Sequence, residues 1–141
     1  MGNIKITVPF VDCGSNIPII RVKVGDMWTN AIIDTGAEST LVSADMLGIP
    51  EAKIIEEDLI ANFTGVGDYK GKKIVRLDVD AKIKNRKFVI SGYDFDLSAI
   101  IEHFDKYCGY KDKISFVLGS DFLNRHDTVV DYEERLVTLT V

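Results

Sequence analysis

One carboxylate in the sequence occupies a position that favours chemistry over simple solvation. Asp34 ends the apolar run Ala31–Ile33, which has the composition of a buried strand, and Thr35 and Gly36 follow it directly. A carboxylate at the end of a buried strand costs free energy unless it is hydrogen-bonded or used in a reaction. The glycine permits a tight turn or the close approach of another backbone. The tripeptide therefore predicts either an ordinary turn after a strand or a reactive carboxylate on a constrained loop.

The residues around Asp34 follow the pattern of a known active-site loop. Two apolar residues precede Asp-Thr-Gly, Ala37 follows it, and Thr40-Leu41-Val42 resumes an apolar strand. This order resembles the active-site loop of aspartic proteases, and Ala37 is more similar to the retroviral type (retropepsins) than to the pepsin type. Two later segments occur in the family's order: Phe63–Asp68 resembles its glycine-rich flap, and Phe116–Leu123 resembles the segment that leads into its short C-terminal helix. Each motif is weak alone, and the three in this order make the resemblance specific.

An aspartic protease needs two carboxylates close together. They cannot both ionise, so they share one proton; one acts as a base on the attacking water while the other donates a hydrogen bond to the substrate carbonyl. The sequence has no second Asp-Thr-Gly, because Asp121 follows its glycine and the remaining candidates lack the residues that should follow them (Asp78, Asp80, Asp94, Asp96 and Asp131). With one copy per chain, a homodimer whose two-fold axis brings two copies of Asp34 together is the economical solution.

The resemblance assigns roles to the neighbours of the aspartate. Thr35 is expected to bond across the dyad to the partner chain, Gly36 to let the two loops approach, and Ala37 to complete the dyad support. Glu38 stands where viral members often carry Asp for contacts with the substrate main chain. Ser120 stands where viral members commonly carry Arg, so the ion pair of that Arg near the dimer axis is missing or replaced. The flap tip that would close over a peptide and exclude water consists of Gly65, Val66 and Gly67.

Short strands separated by turn signals must position this loop. Alternating apolar residues predict strands over Ile4–Val8 and Ile20–Val24, and a turn at Gly25-Asp26 returns the chain into the strand that ends at Asp34. Trp28 in that strand is predicted to be core. Residues 51–58 predict a solvated loop or an irregular strand, while 59–63 and 72–83 predict the two arms of the flap hairpin.

Three short helices interrupt the strands. Helical spacing and capping residues predict helices over Ala44–Leu47, capped by Ser43, over 94–107, and over Ser120–Arg125. The resemblance makes the helix near 94–107 an insertion, because the shorter family members have no room for it. We therefore expect one all-β domain over residues 1–141, a closed acid-protease barrel of retropepsin type with a flap hairpin and few short helices.

The composition argues against several classes of function. The net charge is −5 and no Lys/Arg-rich run occurs, so we expect neither nucleic-acid nor membrane binding. The N-terminus lacks the apolar core of a signal peptide, so we expect a cytoplasmic protein. Cys13 and Cys108 lie far apart, and a reduced pair is favoured over a disulfide without excluding one. His103 and His126 have no zinc-ligand pattern and are predicted to be surface or satisfied side chains; we expect no metal and no cofactor.

Three functions stay open on the sequence. The first is an aspartic endopeptidase that acts as a homodimer on peptide or protein substrates, with water activated between two copies of Asp34. The second is a catalytically silent retropepsin-like module for dimerisation or peptide binding. The third is an enzyme that shares only the barrel, because a fold does not determine a function. The intact Asp-Thr-Gly-Ala favours the first over the second.

Overall fold

The computed structural model describes residues 4–12, 16–48, 54–59 and 73–141, and of 54–59, 73 and 74 it describes the backbone alone. The described residues form eleven strands and three helices. The strands are β1 (Lys5–Pro9), β2 (Val11–Asp12), β3 (Pro18–Val24), β4 (Met27–Ile33), β5 (Leu41–Val42), β6 (Ile54–Leu59), β7 (Lys73–Ile83), β8 (Arg86–Asp94), β9 (Phe116–Leu118), β10 (Val129–Asp131) and β11 (Leu136–Thr140). The helices are α1 (Ala44–Leu47), α2 (Ser98–Cys108) and α3 (Ser120–Arg125).

The strands form two sheets, and the larger one closes on itself. Eight strands hydrogen-bond in the order β2-β3-β4-β9-β5-β8-β7-β6, and β3 also pairs with β7 at Lys23 and Lys82. That extra pairing joins β3, β4, β9, β5, β8 and β7 into a ring. The ring confirms the predicted all-β barrel with few helices. The smaller sheet has the order β1-β11-β10 and brings the two ends of the chain together.

The apolar side chains that alternate along the strands fill the interior of the barrel. Ile20 and Val22 of β3 are fully buried, while Arg21 between them is exposed, so one face of the strand supplies the core. The larger core cluster takes side chains from nearly every described element of both sheets. A second cluster lies between α2 and the β4–β9 pair; its buried members are Ile19, Ile32, Leu41, Leu97, Phe104, Ile114 and Val117. Helix α2 therefore packs on a cluster of buried residues that is separate from the larger core cluster.

Several local predictions are confirmed. Gly25 has a φ of +59° in the two-residue turn between β3 and β4, where Val24 and Met27 face each other. Ser43 caps α1, because its hydroxyl accepts a hydrogen bond from the Met46 N–H at 3.2 Å. The β7–β8 turn lies at Lys84 and Asn85, and both residues have positive φ.

The predicted flap hairpin is described only in its arms. β6 and β7 run antiparallel with Leu59 opposite Lys73, and their register shifts between Ile54 and Glu56, as expected for an irregular strand. The predicted arm beyond Leu59 and the predicted tip lie outside the described residues, the tip being Gly65, Val66 and Gly67.

The inserted helix begins later than the sequence predicts. Alternation carries β8 on to Asp94, whose carboxylate accepts a hydrogen bond from the Ala44 N–H at 3.1 Å. Asp96 then accepts hydrogen bonds from the Ser98 N–H at 2.9 Å and from the Ser98 hydroxyl at 2.5 Å. These bonds start α2 at Ser98 and not at residue 94. The helix ends as expected at Gly109, which has a φ of +66°.

The prediction for Trp28 is wrong, since 52% of this residue is exposed. Trp28 faces outward from β4, opposite Lys23 in the register of β3. The Arg21 guanidinium lies 4.7 Å and the Lys23 ammonium 5.4 Å from the centre of its ring. Two cations over the indole give the exposed ring favourable partners, so its size does not force it into the core.

Among the described residues, no helix is long and apolar enough to cross a bilayer. The cytoplasmic location expected from the sequence stays a prediction. His126 is satisfied as predicted, because its Nδ1 lies 2.9 Å from the Thr140 carbonyl oxygen and its ring packs on Phe88 and Phe122. Cys13 lies outside the described residues, so the favoured reduced state of Cys13 and Cys108 also stays a prediction.

Candidate active site

Asp34 lies where β4 leaves the barrel. β4 runs parallel to β9, with Ile33 opposite Leu118, and the Asp34 N–H donates to the Leu118 carbonyl at 3.0 Å. The backbone of Asp34 is therefore still held by the sheet. Its side chain is exposed, unlike the three buried residues before it. β4 therefore places the Asp34 carboxylate in solvent while the Asp34 backbone stays hydrogen-bonded to β9.

A tight turn orients that carboxylate. The Gly36 N–H donates to Asp34 Oδ1 at 3.0 Å, and the Ala37 N–H donates to the Asp34 carbonyl at 3.2 Å. A Cβ on Gly36 would lie 3.4 Å from the same Oδ1, which is ordinary contact. Thr35 and Gly36 are exposed beside the carboxylate. The loop therefore presents the Asp-Thr-Gly tripeptide outward, with one carboxylate oxygen held by a backbone donor.

The segment between β9 and α3 holds the Asp34–Thr40 loop in place by backbone hydrogen bonds. The Ser120 N–H donates to the Ala37 carbonyl at 2.7 Å, and the Asp121 N–H donates to the Glu38 carbonyl at 3.3 Å. A Cβ on Gly119 would lie 2.8 Å from the Ala37 carbonyl oxygen, so only glycine allows this approach. Ser120 contacts the loop through its backbone and its hydroxyl, which lies 3.4 Å from the Glu38 carbonyl.

The side chains of Thr40 and Asp121, a pair that the sequence did not reveal, add further hydrogen bonds to this contact. We call the hydrogen bonds between the loop and the segment from Gly119 to Asp121 the polar lock. Thr40 is fully buried, and its hydroxyl donates to Asp121 Oδ1 at 2.6 Å while accepting from the Gly119 N–H at 3.1 Å. Asp121 Oδ2 accepts from the Thr40 N–H at 3.1 Å, and Oδ1 also accepts from the Phe122 N–H at 2.7 Å. Asp121, which lacks the sequence context of a second catalytic acid, fixes the end of the Asp34–Thr40 loop to α3. Thr40 and Asp121 are separated by 81 residues, so no local pattern links them.

The chain path explains why this loop is constrained at both ends. β9 lies between β4 and β5, parallel to the first and antiparallel to the second. The loop from Asp34 to Thr40 must therefore pass over the end of β9 to join its two neighbours. Because β9 continues directly into Gly119 and α3, the loop and α3 meet at this crossing. The structure brings together the predicted residues Asp34, Thr35, Gly36, Ala37 and Glu38, whereas the three predicted flap residues lie outside its described part.

An apolar pocket opens beside the carboxylate. It has a volume of about 340 Å³, and Asp34 is the one acidic residue in its lining. Ile32 of β4 and Val117 of β9 line it from the barrel, and α2 lines it from the other side. A volume near the lower end of the range for ligand pockets, about 300–1,000 Å³, suits a small group or a side chain. The pocket and the carboxylate together form the candidate active site.

The site offers acid–base chemistry through a carboxylate. Across the described part of the chain, no group of three or more His, Cys, Asp or Glu side chains is arranged to hold a metal ion. His103 is exposed and also lines the pocket, which its sequence context did not indicate. A single carboxylate can act as a base or as an acid, whereas the shared-proton mechanism needs a second one beside it.

Comparisons with known proteins agree with this geometry. A model of the family described as retroviral aspartyl protease matches residues 15–101, more than half of the chain. A retropepsin-like aspartic protease from Rickettsia conorii is similar in structure, with a TM-score of 0.55 and 17% identity over 99% of this chain and 92% of that one. The retroviral protease-like domain of Ddi1 from Leishmania major has a TM-score of 0.53 and 13% identity over 96% and 97% of the two chains. The fold, the loop and the family match lead to one conclusion: the chain belongs to the retroviral aspartyl protease family.

Proposed function

We propose that this protein is an aspartic endopeptidase that acts as a homodimer on peptide or protein substrates. The observation that carries the proposal is the Asp34 carboxylate, exposed at the end of a strand and oriented by the Gly36 N–H at 3.0 Å. A carboxylate with only a structural task would be expected to bond into the fold, as Asp121 does. Asp34 is held so that one face stays open to a second carboxylate or a substrate.

The second carboxylate is supplied by a second chain in this proposal. Asp34 is the sole acidic residue that lines the described pocket, so one chain carries half of a dyad. A two-fold axis close to the exposed residues Asp34, Thr35 and Gly36 would place two carboxylates side by side and let the two Thr35 side chains bond across the interface. A Cβ on Gly36 would meet, among the described residues, only Asp34 Oδ1 within 4 Å, so the outer side of the loop has room for such an approach.

The terminal sheet offers a surface for this assembly. β1 and β11 pair within the chain from Lys5–Thr140 to Pro9–Leu136, and β1 and β10 form its two outer strands. Three aliphatic residues of this region are exposed: Ile4 at 46%, Val129 at 61% and Val141 at 45%. Aliphatic side chains and free strand edges favour association with a second copy. We propose that the interface includes the segments Ile4–Val8 and Leu136–Val141.

The reaction follows from two carboxylates that share one proton. The ionised member takes a proton from a water molecule, whose oxygen then attacks the peptide carbonyl carbon. The protonated member donates to the carbonyl oxygen, where negative charge develops. When the C–N bond of the tetrahedral intermediate breaks, the leaving nitrogen takes the proton that the first carboxylate removed from water, and an acid and an amine are released. Glu38, exposed beside the dyad, is proposed to contact the substrate main chain, and Gly65, Val66 and Gly67 are proposed to cover it.

Digestion of a peptide library with and without pepstatin tests the proposal. We compare wild type with Asp34→Asn and with Asp112→Asn, a control that neutralises an exposed acid away from the site. Asp34→Asn changes both copies in the dimer, so cleavage should fall by a factor of at least about 10²–10⁴, whereas Asp112→Asn should cut normally. Undiminished cleavage by Asp34→Asn would overturn the protease assignment.

The dimer is tested by dilution of the wild type. A half-site on each chain makes specific activity fall as the dimer dissociates, so activity and the dimer fraction from sedimentation should decline together. Constant specific activity at a concentration where only monomers sediment would contradict the shared dyad. A silent dimerisation or peptide-binding module stays the alternative: it would dimerise or bind one peptide tightly, and neither wild type nor Asp34→Asn would cut it.

A further inference from the structure

We propose that a row of lysines on the outer face of the barrel binds a short acidic segment of a partner protein. The row consists of Lys23, Lys82 and Lys87, and Trp28 stands at one end of it as an apolar contact. This docking surface goes beyond the proposed function and does not depend on it. It exists only in the folded chain, because the pairing of β3 with β7 brings Lys23 beside the other two lysines.

The lysines of the row are register partners from strand to strand. Lys23 of β3 lies opposite Lys82 of β7, and Lys82 lies opposite Lys87 of β8. On the other side of β3, Trp28 of β4 lies opposite Lys23. Register partners in antiparallel strands carry their side chains on the same face, and both chain neighbours of Lys82 are buried, so this face is the outer one. Neighbouring strands lie about 4.8 Å apart, so the three lysines extend over about 10 Å.

The three lysines place like charges side by side without compensation. Like charges directly opposite each other destabilise an antiparallel pair. In the described part of the chain, none of the three forms an ion pair with a carboxylate. The chain as a whole has a net charge of −5, yet the strand partners of these lysines are other lysines or Trp28. The row therefore costs free energy in the free protein, and an anion that neutralised it would remove that cost.

Trp28 adds an aromatic contact to the charges. It is 52% exposed, with the Arg21 guanidinium 4.7 Å and the Lys23 ammonium 5.4 Å from the centre of its ring. Exposed tryptophan and arginine side chains are enriched among the residues that dominate binding energy at protein interfaces. The surface therefore fits a segment that combines carboxylates with a neighbouring aromatic or aliphatic side chain.

Acidic residues beside the row limit the length of the anion that it can bind. Asp80 is exposed on the same face, two residues before Lys82, and Asp26 is exposed in the turn between β3 and β4. A nucleic acid or an anionic membrane carries charge beyond the ends of the row, where these acids and the net negative charge would repel it. An extended peptide advances about 3.4 Å per residue, so two or three carboxylates at alternate positions match the row.

The row is remote from the candidate active site. Trp28 lies six residues before Asp34, which at about 3.3 Å per residue is about 20 Å along the strand. Neither Trp28 nor any lysine of the row lines the pocket beside Asp34. A segment bound to the row would therefore leave that pocket open.

The probe for this surface is a labelled peptide with Glu at alternate positions and a Phe beside them, and a peptide with Gln in place of Glu is its control. Both are titrated by anisotropy onto the full chain carrying Asp34→Asn, so that the probe is not cut. Adding Lys82→Glu and Lys87→Glu together should weaken binding by about tenfold or more, because two attractions become repulsions. Adding Trp28→Ala should weaken it by about threefold.

Lys106→Glu combined with Arg125→Glu is the matched control variant. It changes the net charge by the same amount at exposed positions of α2 and α3, and it should change binding by less than about twofold. Raising the ionic strength from about 0.01 M to about 0.1 M should weaken binding to the unaltered row, since the Debye length falls from about 30 Å to about 10 Å.

Two kinds of result would contradict the inference. No binding of the Glu peptide at the lower ionic strength, equally tight binding of the Gln peptide, or equal losses in the two double variants would overturn the row as a docking surface. Tighter binding of oligothymidylate or of phosphatidylserine vesicles, abolished by Lys82→Glu with Lys87→Glu, would overturn an acidic protein segment as its occupant.

Discussion

The catalytic loop and helix α2 border the same pocket, and they are held in place by different kinds of interaction. The loop from Asp34 to Thr40 is fastened to the start of α3 by short hydrogen bonds, among them the Thr40–Asp121 bond at 2.6 Å and the Ser120–Ala37 bond at 2.7 Å. Hydrogen bonds of this kind define both distance and direction. They hold the Asp34 loop in one orientation relative to α3.

Helix α2 is held by apolar burial. Its contacts run through Leu97, Phe104 and their neighbours in the second core cluster, and Asp96, two residues before its start, accepts hydrogen bonds from Ser98. Apolar packing fixes a helix without prescribing each neighbour, and exchanges of similar volume are tolerated. The comparison therefore teaches that directional polar contacts hold the Asp34 loop, whereas α2 is held by apolar packing that tolerates exchanges of similar volume.

The largest expected effect on stability comes from Phe104, which packs α2 into the second core cluster. Phe104→Ala removes a ring that is 97% buried by area and should lower the free energy of unfolding by about 3–5 kcal/mol. Tyr107→Ala, on the same helix but 67% exposed, should change it by less than about 0.5 kcal/mol. Urea unfolding of both variants measures the difference. Similar losses in the two variants would mean that α2 is not packed as described.

Breaking the hydrogen bonds of Thr40 should lower the free energy of unfolding by less than Phe104→Ala does. It should lower activity by more. Thr40→Val keeps the shape but leaves the Gly119 N–H and Asp121 with fewer partners, at a cost of about 1–3 kcal/mol. The loop then loses its fixed end, so kcat should fall more than the folded fraction does. Thr29→Val is the control, because it breaks a buried 2.6 Å contact with the Ser115 hydroxyl near the start of β4, at the other end of the strand from the loop. A Thr40→Val enzyme with wild-type kcat would show that the lock is dispensable.

The smallest effect on stability concerns the hydrogen bonds between Asp96 and Ser98 at the start of α2, and it depends on pH. The hydrogen bond from the Ser98 hydroxyl, followed by that from the Ser98 N–H, lowers the pKa of Asp96 below its ordinary value of 3.8. The folded state therefore favours the ionised form. The stabilisation is fully present above the ordinary value and is lost as pH falls through the lowered one.

Urea midpoints of Asp96→Ala and Asp96→Asn at pH 7 and pH 3 test the hydrogen bonds from Ser98 to Asp96. Asp96→Ala should be slightly less stable than wild type at pH 7, and the gap should narrow at pH 3. Comparison at each pH removes the contribution of the other carboxylates, which the two proteins share. Asp96→Asn can still accept these hydrogen bonds but cannot ionise, so it should lose less at pH 7. A gap that widens in acid would contradict the assigned direction.

Much of the barrel and the family of the chain could be predicted from the sequence. Alternation at Ile20, Val22 and Val24 predicts which face is buried, because a strand has a period of two. Ser43 and Gly48 bound α1 as predicted, since capping uses backbone groups only a few residues away. The order of residues around Asp34 indicated a catalytic loop before any contact was known.

The sequence alone determined these local features because their causes are local: strand period, turn geometry, capping and a motif of consecutive residues. Only the tertiary structure decided that Thr40 meets Asp121, that Gly119 must lie against Ala37, and that Trp28 faces outward. It also decided that α2 and β4 enclose one pocket. These contacts join residues that are distant in the chain, and they depend on β9 passing between β4 and β5. Hydrophobic pattern shows that a face is buried, whereas the chain crossing determines what buries it.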